Sequence, residues 1–285
     1  MYFNQPVKNL IEKRNSCRSY TKEPLGGDTL KALQAFLSEE ASGPFGSDSR
    51  FKLVAAAEGD TSSLKDLGTY GLLKNPTAFI LGAVSESKMN LEDFGFIMEN
   101  IILKATDLGL GTCWLGGTFS RSNFADRMNL KEGEIMPAVT AAGNIAPRRT
   151  IRDDISRKMA KSDHRRHFEN IFFDGTPGEA LTRDAAGDYG EILELVRLAP
   201  SASNRQPWRF IKDGKNFHFY LKRDEKYTKQ LKTVKAEDLQ RVDIGIAICH
   251  FELSAREAGL KGEWIDAAPG IIFEETEYII TWQGK

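Results

Sequence analysis

The chain has 285 residues, enough to bury a hydrophobic core as one large domain or two ordinary ones without disulfides or a metal. Its 39 basic and 40 acidic residues give a net charge of -1, so charge gives no reason to expect nucleic acid or an anionic membrane as a partner. No stretch approaches about 20 apolar residues, and the N-terminus lacks a signal-peptide pattern. We therefore expect a cytoplasmic protein that acts on small molecules.

The cysteines and histidines do not predict a metal site. Three cysteines are far apart, odd in number and outside any Cys-x-x-Cys spacing, which favours a reducing compartment and buried thiols: Cys17, Cys113 and Cys249. Residues 164–167 contain a close pair of histidines that flank two arginines. We expect this polar segment to be helical and solvated, and we expect no bound metal.

Apolar spacing predicts the elements of the first half of the chain. Residues 7–14 are expected to be helical, and residues 28–40 form a second helix with Asp28 as its N-cap. Strands are expected at residues 51–57, 77–84 and 138–143. The clearest helix spans residues 90–108, because its apolar residues fall on one broad face and Gly109 provides a C-terminal stop.

A second long helix, predicted at residues 238–258, repeats the helix at residues 90–108. Identical residues pair at a constant shift of 150 positions without a gap: Asp93 with Asp243, Gly95 with Gly245, Leu103 with Leu253, Ala105 with Ala255, Gly109 with Gly259, Leu110 with Leu260, and Trp114 with Trp264. Leucine and alanine recur by chance in any amphipathic helix, but an aspartate, glycines and a tryptophan in register do so far less easily.

The repeat predicts a duplicated chain. A weaker match relates residues 41–51 to residues 199–210, and each stretch leads from a helix into a strand. We therefore divide the chain into a first half at residues 1–150, a connecting helical segment at 151–188 and a second half at 189–285.

An anion site is predicted directly after the first helix. Arg14, Ser16 and Arg18 alternate along a segment expected to be extended, so their side chains point the same way. Two guanidinium groups and a hydroxyl suit a phosphate monoester. The motif alone is a weak signal, because basic residues after a surface helix are commonly just solvated.

A stronger signal lies at residues 199–210, which read Ala-Pro-Ser-Ala-Ser-Asn-Arg-Gln-Pro-Trp-Arg-Phe. Pro200 would end the preceding helix, and the hydroxyls and amides that follow can hydrogen-bond the edge of a planar heterocycle. A plain helix-terminating turn would explain the proline and serines alone. After the long helix, Gly116 and Gly117 permit close approach to a flat ligand, and residues 147–149 add a basic run.

Together these segments resemble the FMN-dependent nitroreductase superfamily, with matches at residues 11–149 and 189–265. In that family two subunits intertwine, and each FMN lies at their interface. One subunit gives the Arg-x-Ser-x-Arg motif and the other the Pro-Ser-x-x-Asn loop. Because both motifs occur here in one chain, far apart, the protein resembles a fused pseudo-dimer type. The resemblance implies an α+β fold with two duplicated halves, each a mainly antiparallel sheet flanked by helices.

The resemblance also implies which residues hold the cofactor. The first half would contribute Arg14, Ser16, Arg18, Leu115, Gly116, Gly117 and either Arg148 or Arg149, and the second half Pro200, Ser201, Ala202, Ser203 and Asn204. The flavin N5 would carry the chemistry, so no catalytic side chain is expected. The complementary site should be degenerate, since residues 43–48 lack the loop motif and Asp184, in residues 183–187, would repel a phosphate. We therefore expect one FMN per chain.

The implied function is ping-pong hydride transfer from NAD(P)H, through FMN, to a nitroaromatic, quinone or similar small acceptor. As a pseudo-dimer, the chain would need no further subunit and would be a monomer. The alternatives are a non-catalytic flavin-binding protein, such as a sensor or storage protein, and a binding protein without flavin. Residues 60–74 and 225–238 are candidates for selecting the acceptor. The spacing leaves open whether Arg14 or Arg18 faces the ring.

Overall fold

A computed structural model describes residues 3–39, 42–57, 61–148, 150, 153–155, 158, 161 and 164–285. The first half contains four helices among these residues: α1 (Val7–Lys13), α2 (Gly27–Glu39), α3 (Asn90–Asp107) and α4 (Arg121–Met128). Its strands are β1 (Ser49–Ala55), β2 (Ala78–Ser85), β3 (Gly111–Leu115), β4 (Glu134–Ile135) and β5 (Val139–Gly143). A short 3-10 helix lies at Thr61–Leu64.

The rest of the described chain has helical residues at 153–155 and 158, and the helices α5 (Gly190–Arg197), α6 (Glu225–Thr233) and α7 (Leu239–Glu257). Its strands are β6 (Phe172–Asp174), β7 (Trp208–Asp213), β8 (Asn216–Leu221), β9 (Gly262–Ile265) and β10 (Glu277–Gly284). Short 3-10 helices lie at Phe168–Asn170, Gly187–Tyr189 and Ala202–Asn204.

The two sheets have the same strand order, which confirms the predicted duplicated α+β fold. The first has the order β1-β2-β5-β3, with β4 also paired to β2, and the second contains β7-β8-β10-β9 in the corresponding places. Every corresponding pair is antiparallel. The second sheet has one extra strand, β6, which pairs in parallel with β7.

The predicted helices and strands of both halves are confirmed, with ends that differ by up to two residues. Asp28, predicted as the N-cap of α2, lies instead in the first turn of that helix. The connecting segment is helical at residues 153–155 and 158, as predicted, but differs from its prediction as a helix further along the chain. Residues 164–167 have no regular structure, and Phe172–Asp174 form strand β6. Because β6 pairs with β7, the connecting segment contributes a strand to the second sheet. The boundaries at 150 and 188 stay a prediction.

Helices α3 and α7 cross at the two repeated glycines. A Cβ atom on Gly245 would lie 2.8 Å from the carbonyl carbon of Glu92 and closer still to its oxygen. In the same way, a Cβ on Gly95 would lie 3.0 Å from the carbonyl carbon of Val242. Since residues 92 and 242 are themselves 150 positions apart, the contact is reciprocal. The repeat therefore forms a pseudo-twofold interface at which the two backbones touch.

One hydrophobic core joins the halves, since residues of α3, α7 and the inner faces of both sheets pack in a single cluster. Strand β2 shows the alternation: Ile80 faces this core, whereas Phe79 and Leu81 face a second cluster under α4. All three cysteines are buried thiols, as predicted. In the described part of the chain, no helix is both long enough and apolar enough to cross a membrane.

Candidate functional site

A cavity of about 520 Å³ opens between the two halves, within the size range of small-molecule sites. Most of the predicted site residues line it together. From the first half these are Arg14, Ser16, Arg18, Gly116 and Gly117, and from the second half Pro200, Ser201, Ala202, Ser203 and Asn204. Residues more than 180 positions apart in the chain thus meet at one cavity.

The Arg-x-Ser-x-Arg segment reaches the cavity as an extended strand at the edge of the first sheet. Ser16 forms a parallel bridge with Thr112 of β3, and the Cys17 N–H donates to the Thr112 carbonyl at 2.7 Å. Alternation along the segment directs residues 14, 16 and 18 to the cavity, while Cys17 and Ser19 line a smaller pocket behind it. The alternation is not strict, because Asn15 also lines the cavity and Arg14 also lines the smaller pocket.

Arg14 lies beside a buried carboxylate that joins both halves. The Arg14 Nε is 3.6 Å from Glu99 Oε1 and makes no hydrogen bond to the described residues. Glu99 Oε2 accepts a hydrogen bond from the Trp114 indole at 2.9 Å, and Trp114 lines the cavity. Glu99 Oε1 also lies 3.1 Å from His250 Nε2 of α7. Since His250 Nδ1 lies 3.0 Å from the Leu195 carbonyl, which can only accept, that nitrogen carries a proton.

Arg18 has a different acidic partner. Its Nη1 donates to Asp153 Oδ1 at 3.1 Å, and the two side chains are 12% and 3% exposed. Its Nε has no hydrogen-bond partner among the described residues. Arg14 and Arg18 are therefore nearly buried cations, each with one carboxylate nearby and donors to spare. Such a pair suits an anionic ligand.

The serine-rich loop is tied to the connecting segment. Asn204 Nδ2 donates to the carbonyls of Lys161 and His164, at 2.7 and 2.9 Å. The Arg165 Nη1 donates to Asn204 Oδ1 at 3.3 Å, and Arg165 itself lines the cavity. The segment predicted to be a solvated helix thus supports the loop and adds a third cation to the site.

Glycines allow close approach to the cavity at the end of β3. A Cβ on Gly117 would meet no atom within 4 Å, so open space lies beside this backbone. A Cβ on Gly116 would collide with the Leu239 side chain of α7. Gly117 therefore leaves room beside the cavity, and Gly116 permits contact between the halves.

Two predicted residues lie away from the cavity, and a third cannot be placed. Leu115 is 1% exposed and packs in the cluster on the outer face of the first sheet, because alternation directs it away from Trp114 and Gly116. Arg148 is exposed and does not line the cavity. Arg149 lies outside the described residues.

Comparison with known proteins identifies the family. The family model described as "Putative TM nitroreductase" matches residues 6–255 of the chain. The chain belongs to this family. No curated protein matches the sequence.

The nitroreductase fold is also found in solved structures. A Thermotoga maritima protein described as a putative nitroreductase is 19% identical, with a TM-score of 0.62 over 98% of this chain and 94% of its own. This likeness shows the same fold over nearly the whole chain. A Bacteroides fragilis nitroreductase with bound FMN is 19% identical and covers 52% of this chain and 92% of its own, with a TM-score of 0.40. A Clostridium novyi nitroreductase family protein is 21% identical and covers 50% of this chain and 87% of its own, with a TM-score of 0.38.

The complementary position of the chain, called the closed half-site below, holds a pair of aromatic rings. Phe45 packs edge-on against Trp264, with ring centroids 6.1 Å apart, whereas Trp114, the repeat partner of Trp264, lines the open cavity. The outer edge of β9 has no strand or bridge partner among the described residues, so no counterpart of the Ser16 bridge is found there. The open cavity beside Trp114 and the bridge at Ser16 therefore have no counterpart in the described part of the second half.

Several residues that line the cavity were not predicted. Trp114 and Asp243 belong to the repeat and were used only as evidence of duplication. Leu72 and Tyr227 lie in the two segments proposed to select the acceptor, and both line the cavity. Burial raises the pKa of the Tyr227 phenol to about 12, so this group remains protonated near neutral pH.

Proposed function

We propose that this protein is an FMN-dependent oxidoreductase that transfers hydride from NAD(P)H to a nitroaromatic, quinone or similar small acceptor. The observation that carries the proposal is the single cavity at which the Arg-x-Ser-x-Arg strand and the Pro-Ser-x-x-Asn loop meet. Family membership supports flavin chemistry, and the lining supplies what a flavin phosphate and ring need. FMN, when bound, supplies hydride transfer at its N5 atom.

The residues present fit an FMN molecule. Arg14 and Arg18 have buried Nε atoms without a hydrogen-bond partner in the described part of the chain, and Ser16 adds a hydroxyl that also lines the cavity. These groups would bind the phosphate and balance negative charge on the ring. The open space beside Gly117 would accept the edge of a flat ring against the backbone. Cavity walls from both halves would orient the ring and exclude water.

The closed complementary position supports one FMN per chain. Phe45 and Trp264 occupy the place that corresponds to the open cavity, and Asp184 stands in the segment that should carry the phosphate motif. Since the shared core already joins the halves, we also propose that the protein works as a monomer. Its partner would then be only the small acceptor and the reduced nicotinamide.

The decisive experiment is an absorbance spectrum of the purified protein. We expect a yellow protein with about one FMN per chain. NADH or NADPH should bleach it without oxygen, and a nitroaromatic or quinone should restore the colour. A yellow protein that NAD(P)H cannot bleach would instead be a flavin-binding protein without turnover. A colourless protein that takes up no FMN would refute the proposal.

Arg14→Ala tests the phosphate assignment. Loss of one charge-assisted pair should weaken FMN binding by about 1.5 to 3 kcal/mol, whereas riboflavin, which lacks the phosphate, should lose much less. Arg148→Ala is the matched control, because that arginine lies outside the cavity and should leave both affinities unchanged. If Arg14→Ala weakened riboflavin and FMN equally, Arg14 would face the ring and not the phosphate.

A further inference from the structure

The two repeated aspartates have different surroundings, although they lie 150 positions apart on equivalent helices. Asp93 of α3 uses both carboxylate oxygens. Its Oδ1 accepts from the Phe45 N–H at 2.9 Å, and its Oδ2 accepts from the Ser47 N–H at 2.8 Å. In the closed half-site, the aspartate therefore only anchors the loop.

Asp243 of α7 uses one oxygen. Its Oδ1 accepts from the Ala202 N–H at 2.8 Å, which anchors the serine-rich loop. Its Oδ2 has no hydrogen-bond partner among the described residues, although the side chain is 2% exposed and lines the open cavity. A buried polar atom without a partner is costly, so such an atom at a cavity wall indicates a ligand contact.

The loop conformation explains why Asp243 receives only one amide. Ser203, Asn204 and Gln206 have φ values of 50°, 54° and 50°, in the left-handed region that non-glycine residues rarely adopt. The loop is held in this shape by the connecting segment, since the Arg166 N–H donates to Gln206 Oε1 at 2.8 Å. Strained backbone of this kind is typical of ligand sites. The N–H groups of Asn204 and Gln206 donate within the loop to Ser201, so they are not available to Asp243.

The surroundings of Asp243 favour its neutral form. Desolvation by burial raises the pKa of this carboxyl well above its usual range, and the Ala202 amide only partly opposes that shift. Asp238 at the start of the same helix raises it further. No basic side chain forms an ion pair with Asp243 among the described residues, so nothing close by compensates its charge.

Other titratable and charged groups line the same cavity. Tyr227 of α6 has a pKa of about 12 and stays neutral at the pH values of the test below. The remaining groups are Glu12 of α1, Arg14 and Arg18 of the strand after it, and Arg165 of the connecting segment.

We propose that Asp243 is a ligand-binding residue whose carboxyl group donates a hydrogen bond from Oδ2 to an acceptor atom of the heteroaromatic ring bound in the cavity. This inference rests on the proposed function, because the ring would be that of the flavin. Asp243 thus anchors the loop through one oxygen and the ligand through the other. Asp93 keeps only the first of these roles.

The test measures riboflavin affinity between about pH 6 and about pH 9 in the full-length protein. Riboflavin is the probe because it has no phosphate to titrate. Ionised Asp243 cannot donate, so affinity should fall as the pH rises through the pKa of that carboxyl. Asp243→Asn keeps an oxygen for Ala202 and places an N–H donor at the second position, so its affinity should vary less with pH. Asp243→Ala should bind about threefold to tenfold more weakly.

Asp93→Asn is the matched control, because both oxygens of this carboxylate already accept hydrogen bonds from the loop of the closed half-site. It should keep the pH dependence of the parent protein. Circular dichroism would check that each variant is folded. As a second measurement on the unaltered protein, difference infrared spectroscopy should show a protonated carboxyl band that shifts when riboflavin binds.

The inference would be overturned if Asp243→Asn kept the pH dependence of the parent protein, or if no carboxyl band responded to riboflavin. The outcome separates it from the proposed function. Flavin binding that depends on Asp243, without bleaching by NAD(P)H, would support the hydrogen bond from Asp243 and refute the proposed oxidoreductase activity. Bleaching by NAD(P)H with unchanged riboflavin binding in all three variants would support the oxidoreductase activity and refute the hydrogen bond from Asp243. A protein that binds no flavin would refute both.

Discussion

The helix crossing at Gly95 and Gly245 makes a strong prediction about stability. In Gly245→Ala, the added methyl would lie 2.8 Å from the Glu92 carbonyl carbon, against at least about 3.4 Å for ordinary contact. The helices would therefore have to separate by at least about 0.6 Å. The obstacle is backbone, which cannot rotate away as a side chain can. We expect a loss near the upper end of overpacking effects, about 3 kcal/mol.

Urea unfolding followed by circular dichroism measures this loss. In a chain of this size, 3 kcal/mol corresponds to a decrease in Tm of about 6 to 12 °C. Gly95→Ala should behave alike, because its methyl would meet the Val242 carbonyl in the same way. Gly27→Ala is the control, since a methyl there meets no atom within 4 Å. A wild-type urea midpoint for Gly245→Ala would show that the helices do not cross at these glycines.

Three further predictions concern charge and asymmetry. Glu99→Gln removes the carboxylate beside buried Arg14, so urea unfolding without flavin should show a loss of about 3 kcal/mol. Hydrogen bonds with Arg50 lower the pKa of Glu134 to about 2. The ionised Glu134 therefore stabilises the folded protein fully above the unfolded pKa of about 4.5, and this stabilisation is lost as the pH falls through about 2. Acid unfolding of Glu134→Gln should therefore depend less on pH in that interval. Phe45→Ser should still bind one FMN per chain, measured by the flavin-to-protein absorbance ratio.

Each of these predictions has a contrasting outcome. Glu191→Gln breaks an exposed ion pair with Lys8 and should change stability by less than about 1 kcal/mol, so an equal loss in Glu99→Gln would mean that burial does not matter there. An acid transition identical to that of the parent protein would disprove the role of Glu134. Two FMN molecules in Phe45→Ser would show that this ring alone closes the second position.

The duplicated fold was predictable from the sequence because the repeat keeps in register those glycines that the backbone requires. Gly95 and Gly245 recur since both helices need a glycine at their contact, and Gly109 and Gly259 recur since both end the helix with a positive φ, 82° and 76°. Strand β6 was missed because three residues within a polar segment are too short for a periodic signal.

The site was predicted as far as side-chain type and spacing allow. Arg14, Ser16 and Arg18 were found because alternation in an extended segment is a local property. The same alternation accounts for the position of the Leu115 side chain, which lies on the opposite face of β3 from Trp114 and away from the cavity. The free oxygen of Asp243 was not predictable, since it depends on left-handed backbone at Ser203 and Asn204 that no local pattern signals.

The packing of Phe45 on Trp264 has an evolutionary consequence. In a dimer of identical subunits, a phenylalanine at that position would appear twice and block both cofactor positions at once. A single chain encodes each position separately, so the loop at Phe45 and the loop at Ser203 can differ in sequence and in conformation. The two halves can therefore take different roles, as the proposed single cofactor site requires.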